Sequence, residues 1–427
     1  MKGIYFMSKL VVQGGVPLCG VLEVQGAKNS VLPIMAAALL ADGDCIIEHC
    51  PDISDTDSAI EILGALGAFV TEKRESDGSR TVYINASNAL GFEIPDDMMR
   101  KMRSSVMFLG AILSRRHRAI ISFPGGCELG PRPIDLHISA LKKMGADITE
   151  QHGYIDCECD RLYGTVIDLA FPSVGATENI MLAAVLADGE TIINNAAKEP
   201  EIEDLQNFLN KMGAKICGAG SSRIKIKGVK ALNGTRHRVI PDRIAAGTYL
   251  CAVAATRGNA LIKNTEPRHL SSVLSFLTDC GCDIDILEND ISVSCDELHA
   301  VRHIRTMPYP GFPTDMQAVC MALMTKAKGS SVFTETIFEN RFKHVGELHR
   351  MGAKITTDGR VAVVEGVKKL YGARVESTDL RGGAALVVAA LSAEGTSVIE
   401  NISHIERGYD NIEKALSSLG AKITRQQ

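Results

Sequence analysis

The sequence has few aromatic side chains and no excess of basic charge. It contains no Trp, aromatic residues make up 5% of its 427 residues, and the net charge is -5 at pH 7. Proteins that bind single-stranded nucleic acid usually stack the bases on aromatic side chains, and proteins that bind duplexes need a basic surface. The short run Arg115-Arg116-His117-Arg118 is interpreted as a solvated turn. We therefore expect no nucleic-acid partner.

Long apolar segments are absent as well. The longest apolar runs, such as residues 31–41, are shorter than the ~20 residues that a membrane-spanning helix needs. Residues 1–10 include Lys2 and Lys9 and lack the apolar core of a secretory signal. The sequence therefore predicts a cytoplasmic protein that does not associate with a membrane.

The cysteines do not form a recognisable metal motif. There are 12 of them, but they include no Cys-x-x-Cys pair, and no pair of His at ligand spacing accompanies them. The two closest pairs are Cys157/Cys159 and Cys280/Cys282. We expect no zinc site, and we expect most of these cysteines to be reduced, small, buried apolar residues.

What the sequence does contain is an internal repeat. A chain of 427 residues exceeds what one hydrophobic core usually organises, so two domains are expected. A pattern close to Leu-x-x-(Leu/Met)-Gly-Ala recurs six times with a period of about 70 residues, which is longer than the repeats of solenoids. The marker glycines of the pattern are Gly67, Gly145, Gly213, Gly281, Gly352 and Gly420. Each copy is interpreted as a small α/β subdomain.

The copies share an order of predicted elements. An Ala-rich helix, such as residues 32–41 or 384–393, is followed by a β-branched strand, a polar loop and an amphipathic helix that ends at the marker. A hairpin follows, as at Asp358-Gly359. A glycine between the first helix and the strand is interpreted as a left-handed helix cap in five copies, at Gly43, Gly189, Gly258, Gly329 and Gly395.

Charged residues collect in the polar loops of the six copies. If the copies pack around an axis, these loops could converge on one cleft, and loops on a rigid scaffold commonly carry function. The loop residues are Asp52 and Asp55, Cys127 and Arg132, Glu199 and Glu201, Arg268, Arg341, and Arg407.

Two segments that interrupt the repeat have the clearest chemistry. Lys28 and Asn29 precede an apolar run, where the start of a helix would favour an anion; the alternative is a capped helix with a solvent-exposed Lys. Residues 123–137 form a Gly- and Pro-rich loop that presents Cys127 and Arg132. A neighbouring cation lowers the pKa of a thiol and makes it more reactive. The alternative is a structural, buried Cys on a turn.

Four further segments each present a carboxylate or a guanidinium group in a matching position. They contain Asp315, Arg341, the pair Asp379 and Arg381, and Arg407. Taken singly, each is weak evidence, because such residues beside a helix start are commonly caps or surface ion pairs.

Together, these motifs carry a resemblance to a known family. The segments GAKN, PGGC with RPxDLH, SVGAT, EPEIxD, FPTDMQ, ENRF, TDLR and the final RGY resemble the UDP-N-acetylglucosamine 1-carboxyvinyltransferase family of enolpyruvyl transferases. The resemblance runs from about Leu10 to the C-terminus.

The resemblance implies an α/β fold of two domains. Each would be an inside-out α/β barrel of three βαβαββ repeats around a pseudo-threefold axis. Residues 28–235 would form one domain, and residues 1–27 with 236–427 would form the other, discontinuous one. The active site is expected in the cleft between the two domains.

The resemblance also implies a reaction, in which the enolpyruvyl group of phosphoenolpyruvate passes to the 3-hydroxyl of UDP-N-acetylglucosamine and phosphate is released. Cys127 would protonate the methylene carbon, and Asp315 would accept the proton of the sugar hydroxyl. We expect fosfomycin, an electrophilic phosphonate epoxide, to alkylate Cys127. No metal or organic cofactor is implied.

The remaining implied contacts fall into two groups. The residues that would hold phosphate, carboxylate and nearby groups are Lys28, Asn29, Arg103, Arg132, Arg341, Asp379, Arg381 and Arg407. The residues that would hold the UDP-sugar are Arg132, Pro133, Ile134, Asp135, Leu136, Ser173, Val174, Gly175, Ala176, Asp315 and Ile337.

The sequence departs from the family pattern at three places. Gln25 stands where Ser is frequent, Phe171-Pro172 where some members carry Lys, and Ser54 where a basic residue is frequent. Two other functions are considered: a shikimate-type enolpyruvyl transferase, and a non-catalytic paralogue that binds UDP-sugars and regulates synthesis. The PGGC loop argues against the first, and the presence of Cys127, Asp315 and Arg407 argues against the second.

Overall fold

The computed structural model describes residues 8–75, 79–123 and 134–426. Cys127, Arg132 and Pro133 therefore lie outside the described residues. The chain forms two compact units and passes between them after Gln25 and after Ile240. We name them by a residue that each contains: the Lys28 unit (described residues 26–75, 79–123 and 134–240) and the Asp315 unit (described residues 8–25 and 241–426).

The strands are short, and most have 3 to 7 residues. In chain order they are β1 Lys9–Gln13, β2 Cys19–Glu23, β3 Ala41–Asp42, β4 Asp44–Cys50, β5 Phe69–Arg74, β6 Arg80–Asn85, β7 Arg118–Ser122, β8 Asp147–Gln151, β9 Tyr154–Glu158, β10 Val166–Asp168, β11 Glu190–Asn194, β12 Lys215–Cys217, β13 Arg223–Lys227, β14 Leu232–Asn233, β15 Arg236–Arg238, β16 Asn259–Lys263, β17 Cys282–Leu287, β18 Asp290–Cys295, β19 His303–Arg305, β20 Ser330–Thr334, β21 Lys354–Asp358, β22 Val361–Glu365, β23 Arg374–Glu376, β24 Thr396–Glu400 and β25 Lys422–Gln426.

Helices alternate with these strands, so the described chain is a mixed α/β protein. They are α1 Lys28–Ala38, α2 Ser54–Ala65, α3 Asp96–Lys101, α4 Phe108–Arg116, α5 Asp135–Lys143, α6 Val174–Ala184, α7 Pro200–Lys211, α8 Arg243–Ala255, α9 Ser271–Asp279, α10 Thr314–Met324, α11 Val345–Arg350, α12 Leu380–Ser392, α13 Ser403–Glu406 and α14 Ile412–Ser418, with 3₁₀ turns at Arg103–Met107 and Pro267–Leu270.

The sheets share one plan. In most of them two parallel strands are followed by an antiparallel hairpin, as in β10-β11-β13-β12 and β19-β20-β22-β21. The other sheets in the described residues are β15-β4-β6-β5, β7-β9-β8, β17-β18-β16-β2, β23-β24-β1-β25 and the short pair β14-β3. Both N-terminal strands pair within the Asp315 unit, because β1 lies between β24 and β25, and β2 lies beside β16.

Three apolar helices fill the core of the Asp315 unit. α8, α10 and α12 contact one another, and nearly all their residues are buried. Their abundant Ala residues allow the helix backbones to approach closely. Polar residues at the N-terminal ends of these helices, among them Asp315 and Arg381, are thereby fixed on a rigid support.

The six marker glycines end the second helix of each copy. All six have positive φ, between 87° at Gly420 and 108° at Gly213. After α2, Gly67 N–H donates to Gly64 O and Ala68 N–H donates to Leu63 O, which is the Schellman arrangement. Only glycine adopts this conformation without steric cost, which explains why the marker recurs.

Two expectations about local structure were wrong in detail. Gly43 and its counterparts do not cap the first helices: α1 ends at Ala38, and its cap residue Leu39 remains right-handed. The last turn of α1 tightens through the hydrogen bond from Leu40 N–H to Ala37 O, and the positive φ at Gly43 comes later, where the next strand starts. In the fourth copy Arg257, not Gly258, has positive φ.

Helix starts also differ from the prediction. α1 and α12 begin four residues before the predicted apolar runs at 32 and 384, because polar residues form the first turn of α1 and Leu380-Arg381-Gly382-Gly383 form that of α12. The hairpin of β21 and β22 is present, with Gly359 and Arg360 in the turn and Asp358 paired with Val361.

Candidate functional site

Lys28 and Asn29 lie near a helix start, as the sequence predicted, and they are the first two residues of α1. The Lys28 side chain is 11% exposed, and its Nζ lies 2.8 Å from Oδ2 of the buried Asp55, near the start of α2. This ion pair fixes the Lys28 side chain at the N-terminal end of α1, the end of a helix that favours an anion.

The two segments predicted to hold the UDP-sugar lie together in the Lys28 unit. Ile134 precedes α5, and Asp135 and Leu136 form its first turn. Ser173 caps α6, its Oγ accepting from Ala176 N–H at 3.3 Å, and Val174 and Gly175 follow. A Cβ on Gly175 would lie 3.3 Å from Cε1 of His137, so the glycine allows α6 to pack directly against the His137 ring.

Asn179, which the sequence reasoning missed, joins these segments. Its Nδ2 donates to Nδ1 of His137 at 2.8 Å and to Val106 O at 2.8 Å, and its Oδ1 accepts from Gly110 N–H. It therefore ties α5 and α6 to the 3₁₀ turn that begins at Arg103. The structure does not describe the Arg103 side chain.

His137 is held as a neutral ring. Because Asn179 donates to Nδ1, the ring proton lies on Nε2. Burial lowers the pKa of His137 to about 4, although the nearby Asp135 acts in the opposite direction. In the motif RPxDLH, His137 therefore supports the packing of α5 on α6 without contributing charge.

In the Asp315 unit, Asp315 lies between two arginines. Its Oδ1 is 2.8 Å from Nη2 of Arg341, and its Oδ2 is 3.0 Å from Nη2 of Arg381. Both arginine side chains are almost fully buried, whereas that of Asp315 is 28% exposed. Two guanidinium groups stabilise the ionised carboxylate. Asp315 is thus a charged group that remains accessible and can accept a proton from a well-aligned hydroxyl.

Asp379 organises the start of α12. It is the N-cap residue, and its Oδ1 accepts from the backbone N–H groups of Arg381 and Gly382, both at 3.0 Å. Burial, the largest single effect, lowers the pKa of Arg381, but Asp315 together with Tyr409 and Asp242 more than offsets it, so the pKa of Arg381 is raised. Asp379 and Arg381, predicted to lie near the substrates, are thereby linked to Asp315.

A second buried carboxylate, Glu335, was also missed. Its Oε2 accepts from Thr314 Oγ1 at 2.9 Å, and Thr314 is the neighbour of Asp315. Its Oε1 accepts from the N–H groups of Ile337 and Phe338 at 2.7 and 3.1 Å. Glu335 therefore positions Ile337, a predicted UDP-sugar contact, beside the start of α10.

Arg407 follows α13 and is half-buried. The segment after it is held by Gln25, one of the departures from the family pattern. Gln25 Nε2 donates to Gly408 O at 3.1 Å, and its Oε1 accepts from Asp410 N–H at 2.8 Å. The shorter Ser side chain has a single hydroxyl and would not make both bonds, so Gln25 fixes this segment in a way that the frequent residue would not.

Other predicted residues have local roles or lie outside the described chain. Cys127, Arg132 and Pro133 belong to the undescribed residues, so their predicted roles are not tested. Arg268 is 85% exposed and bonds Glu266 at 2.9 Å. Ser54 starts α2, and Phe171 is exposed before the cap of α6.

The described residues contain neither a cluster of metal ligands nor a helix that could cross a membrane. No group of three or more His, Cys, Asp or Glu side chains within residues 8–75, 79–123 and 134–426 is arranged to hold a metal ion. Over the same ranges no helix combines the length and apolar character that crossing a membrane requires.

Comparison with known proteins gives consistent matches over almost the whole chain. The family model for EPSP synthase (3-phosphoshikimate 1-carboxyvinyltransferase) matches residues 12–416. UDP-N-acetylglucosamine 1-carboxyvinyltransferase 2 of Caldanaerobacter subterraneus subsp. tengcongensis is 53% identical, over 98% of this chain and 100% of its own. UDP-N-acetylglucosamine 1-carboxyvinyltransferase of Thermotoga maritima is 48% identical, over 98% of both chains.

Solved structures show the same fold. The crystal structure of the enolpyruvyl transferase NikO from Streptomyces tendae superposes with a TM-score of 0.88 at 26% identity, covering 98% of this chain and 99% of its own. EPSP synthase from Acinetobacter baumannii superposes with a TM-score of 0.75 at 18% identity, over 98% of this chain and 100% of its own.

Proposed function

Because the chain belongs to the EPSP synthase family, and within it to the UDP-N-acetylglucosamine 1-carboxyvinyltransferases, we propose that it joins the enolpyruvyl group of phosphoenolpyruvate to UDP-N-acetylglucosamine. The acceptor is the 3-hydroxyl of the sugar, phosphate is released, and the reaction is the first committed step of peptidoglycan synthesis. The observation that carries this function is the 53% identity to a relative of that name over nearly the full length of both chains.

The chemistry is an addition followed by an elimination. The sugar oxygen bonds to the central carbon of phosphoenolpyruvate while its proton passes to a base, and the methylene carbon takes up a proton and becomes a methyl group. Loss of phosphate and of one methyl proton then restores the double bond. A positioned acid, a positioned base and cations that bind phosphate and carboxylate are the groups that this sequence of steps needs.

We assign these roles to residues of the motifs. Cys127 is the acid that protonates the methylene carbon, and Asp315 is the base for the sugar hydroxyl. The charge of Asp315 beside Arg341 and Arg381 supports its role, because a base must be ionised. The same pairing weakens the carboxylate as a base, so the hydroxyl must approach in good alignment and with water excluded.

The binding roles are proposals of the same kind. Lys28, Asn29, Arg103, Arg132 and Arg407 would hold phosphate and carboxylate. The adjacent starts of α5 and α6 support a UDP-sugar contact, since the Ile134–Leu136 and Ser173–Gly175 segments both lie at a helix start, where the first N–H groups have no carbonyl partner within the helix.

The finer description of the fold is also a proposal. We propose that each unit is an inside-out α/β barrel of three repeats around a pseudo-threefold axis, with domains of residues 28–235 and of 1–27 with 236–427. The mutual packing of α8, α10 and α12 and the three four-stranded sheets of the Asp315 unit support it. The interdomain location of the site and the cytoplasmic location stay predictions.

A phosphate-release assay on the purified chain tests the function. We expect phosphate only when phosphoenolpyruvate and UDP-N-acetylglucosamine are both present, and we expect the Cys127→Ser variant to lose most of this turnover. Phosphate release with shikimate 3-phosphate as acceptor would favour the shikimate-type alternative. Binding of UDP-N-acetylglucosamine without any phosphate release would favour the regulatory paralogue.

A further inference from the structure

Tyr409 belongs to the RGY motif, yet neither the proposed chemistry nor the predicted contacts give it a role. It is one of the largest fully buried side chains of the Asp315 unit. Its hydroxyl lies 2.9 Å from Thr248 Oγ1 on α8 and 3.4 Å from Nη1 of Arg381 on α12. Arg381 in turn contacts Asp315 through its other terminal nitrogen. A continuous row of polar groups therefore runs from α8 to the carboxylate on α10.

The direction of each hydrogen bond follows from counting protons. Thr248 Oγ1 donates its one proton to Ile244 O, at 2.8 Å. It must therefore accept from the Tyr409 hydroxyl, which then has no proton left for Arg381 and accepts from Nη1. The order of donation is Arg381, Tyr409, Thr248 and the Ile244 carbonyl. Such a one-way chain is polarised and mutually strengthened in a buried setting.

Tyr409 also contacts the Arg381 guanidinium through its ring, 5.6 Å from centroid to Cζ. This cation–π contact supplements the hydroxyl bond, which at 3.4 Å is long. The backbone of Tyr409 is fixed on both sides, because Gln25 bonds Gly408 and Asp410. Burial raises the pKa of Tyr409, so the hydroxyl keeps the proton that it gives to Thr248.

Arg381 is consequently anchored at three points, and only one of them is Asp315. Asp379 fixes its backbone, Tyr409 fixes Nη1, and Nη2 is directed at Oδ2 of Asp315. An unanchored arginine side chain has several rotamers, and a carboxylate beside it would share that freedom. Catalysis by a base depends on its position to within a fraction of an ångström.

We propose that Tyr409 is a positioning residue for the reaction, which acts through Arg381 to fix the orientation of Asp315. This inference rests on the proposed function, in which Asp315 is the base. Thr248 on α8 supports Tyr409 in turn, by accepting the hydrogen bond from its hydroxyl. Tyr409 does not contact the reacting atoms in this arrangement, so its effect should be on turnover more than on substrate affinity.

Tyr409→Phe is the direct test, because it removes the hydroxyl and keeps the ring over Arg381. We expect kcat to fall about tenfold while KM for phosphoenolpyruvate and for UDP-N-acetylglucosamine stays within about twofold. Thr248→Val should lower kcat in the same direction, and Thr248→Ser should restore it. The double variant Tyr409→Phe with Thr248→Val should fall no further than Tyr409→Phe, since both break one chain.

Tyr249→Phe is the matched control, because Tyr249 is equally buried on α8 and its hydroxyl bonds neither Arg381 nor Asp315 among the described contacts. It should leave kcat within about twofold. An equal kcat loss in Tyr409→Phe and Tyr249→Phe, or a loss that appears only in KM, would overturn the inference while leaving an active wild type and the proposed function intact.

A measurement that does not depend on turnover tests the inference even if the wild-type protein proves to be inactive. In ¹⁵N-arginine NMR spectra, with the Arg381 signal assigned through Arg381→Lys, hydrogen exchange of its guanidinium group should be at least tenfold faster in Tyr409→Phe than in Tyr249→Phe. Equal exchange in the two variants would show that Tyr409 does not hold Arg381, whatever the activity. An absence of phosphate release by the wild type would count against the proposed function alone.

Discussion

His137 and His344 are buried side chains whose ionisation opposes the native state. Burial lowers the pKa of each to about 4 from an ordinary 6.5. His344 faces Asp379, which partly offsets the effect, and Arg341, which adds to it. An unfolded chain would take up a proton at each of these positions well before the folded chain does. Neutral rings are therefore part of the cores that support α5 and the segment of Arg341.

Acid should destabilise the protein over a window set by these pKa values. Stability from a neutral buried His is fully present above pH 6.5 and is lost as the pH falls toward 4. Each residue contributes up to about 3 kcal/mol to that loss. In denaturant unfolding of the wild type, we expect the free energy of unfolding to fall from pH 6.5 to pH 5, above the range in which most carboxylates titrate.

The His344→Gln variant isolates one of the two residues. In this variant the slope of the free energy of unfolding against pH should be smaller over this window. The difference corresponds to up to one bound proton, or about 1.4 kcal/mol per pH unit. His303→Gln, at an exposed position, controls for the substitution itself. A His344→Gln curve parallel to that of the wild type would show that His344 is already protonated in the folded protein.

At the scale of a helix, the marker glycines separate the two effects that a glycine has on stability. Gly67 follows α2 with φ of 91°, and a Cβ there would have the Ala89 Cα as its nearest contact, at 3.5 Å. Gly64 lies within α2, exposed, with no atom within 4 Å of a Cβ placed on it. The two positions belong to the same helix, but only Gly67 needs a left-handed backbone.

Opposite changes in stability should follow from the same substitution at these two positions. Gly67→Ala should lower the free energy of unfolding by about 1–2 kcal/mol, because the left-handed conformation is strained with a Cβ. Gly64→Ala should raise it by about 0.5–1 kcal/mol, because Ala loses less backbone entropy in a helix. Thermal unfolding of both variants beside the wild type measures this. A stabilising Gly67→Ala would contradict the cap.

This pair shows which features of the fold can be predicted from local sequence. A positive φ after a helix selects glycine, so the six copies were visible as a spacing of Gly-Ala markers. The Asp358-Gly359 hairpin was predicted for the same reason. The exact starts of α1 and α12 were not, since the polar residues of the first turn of α1 and the glycines of the first turn of α12 resemble loop residues, and only packing decides the boundary.

The candidate site was predictable only in part. Motifs indicated Asp315, Arg341 and Arg381 as separate candidates. They did not indicate that both arginines bind the Asp315 carboxylate, from which they are 26 and 66 residues away in the sequence. Asn179 was missed because its partners are distant in the sequence, and Glu335 because its contact with Thr314, which links it to Asp315, is a tertiary contact. Local pattern therefore identifies the chemical groups, and the packing of the helices decides how they are paired.

At the scale of the whole molecule, the first and last described strands, β1 and β25, pair with each other. In the other copies the last two strands of a sheet follow each other along the chain, as β8 and β9 do through His152 and Gly153. In the last copy the antiparallel partner of β25 is β1, where Lys9 lies opposite Gln426. The N-terminal strands therefore complete a unit whose other described residues begin at Pro241.

The buried side chains of β1 and β2 contribute much to the stability of the Asp315 unit. Leu10, Val12 and Leu22 are almost fully buried in the core of the Asp315 unit. Burial of one such side chain contributes about 1.5–3 kcal/mol, so losing three of them equals much of the stability of a typical domain. Removal of β1 also leaves β24 and β25 without the strand between them.

Residues 241–427 should accordingly not fold by themselves, whereas a rearranged chain should. Joining Gln426 to Lys9 through Asn-Gly, so that residues 241–426 precede residues 9–25, would close β25 and β1 with a two-residue turn of the kind at His152-Gly153. We expect this chain to show dispersed amide signals by NMR and cooperative melting. Residues 26–240 serve as a control that needs no rearrangement, since all the described strands of the Lys28 unit pair with strands of the same segment. Cooperative melting of residues 241–427 without residues 9–25 would mean that the helices α8, α10 and α12 suffice to hold the unit, and that β1 and β2 only cover it.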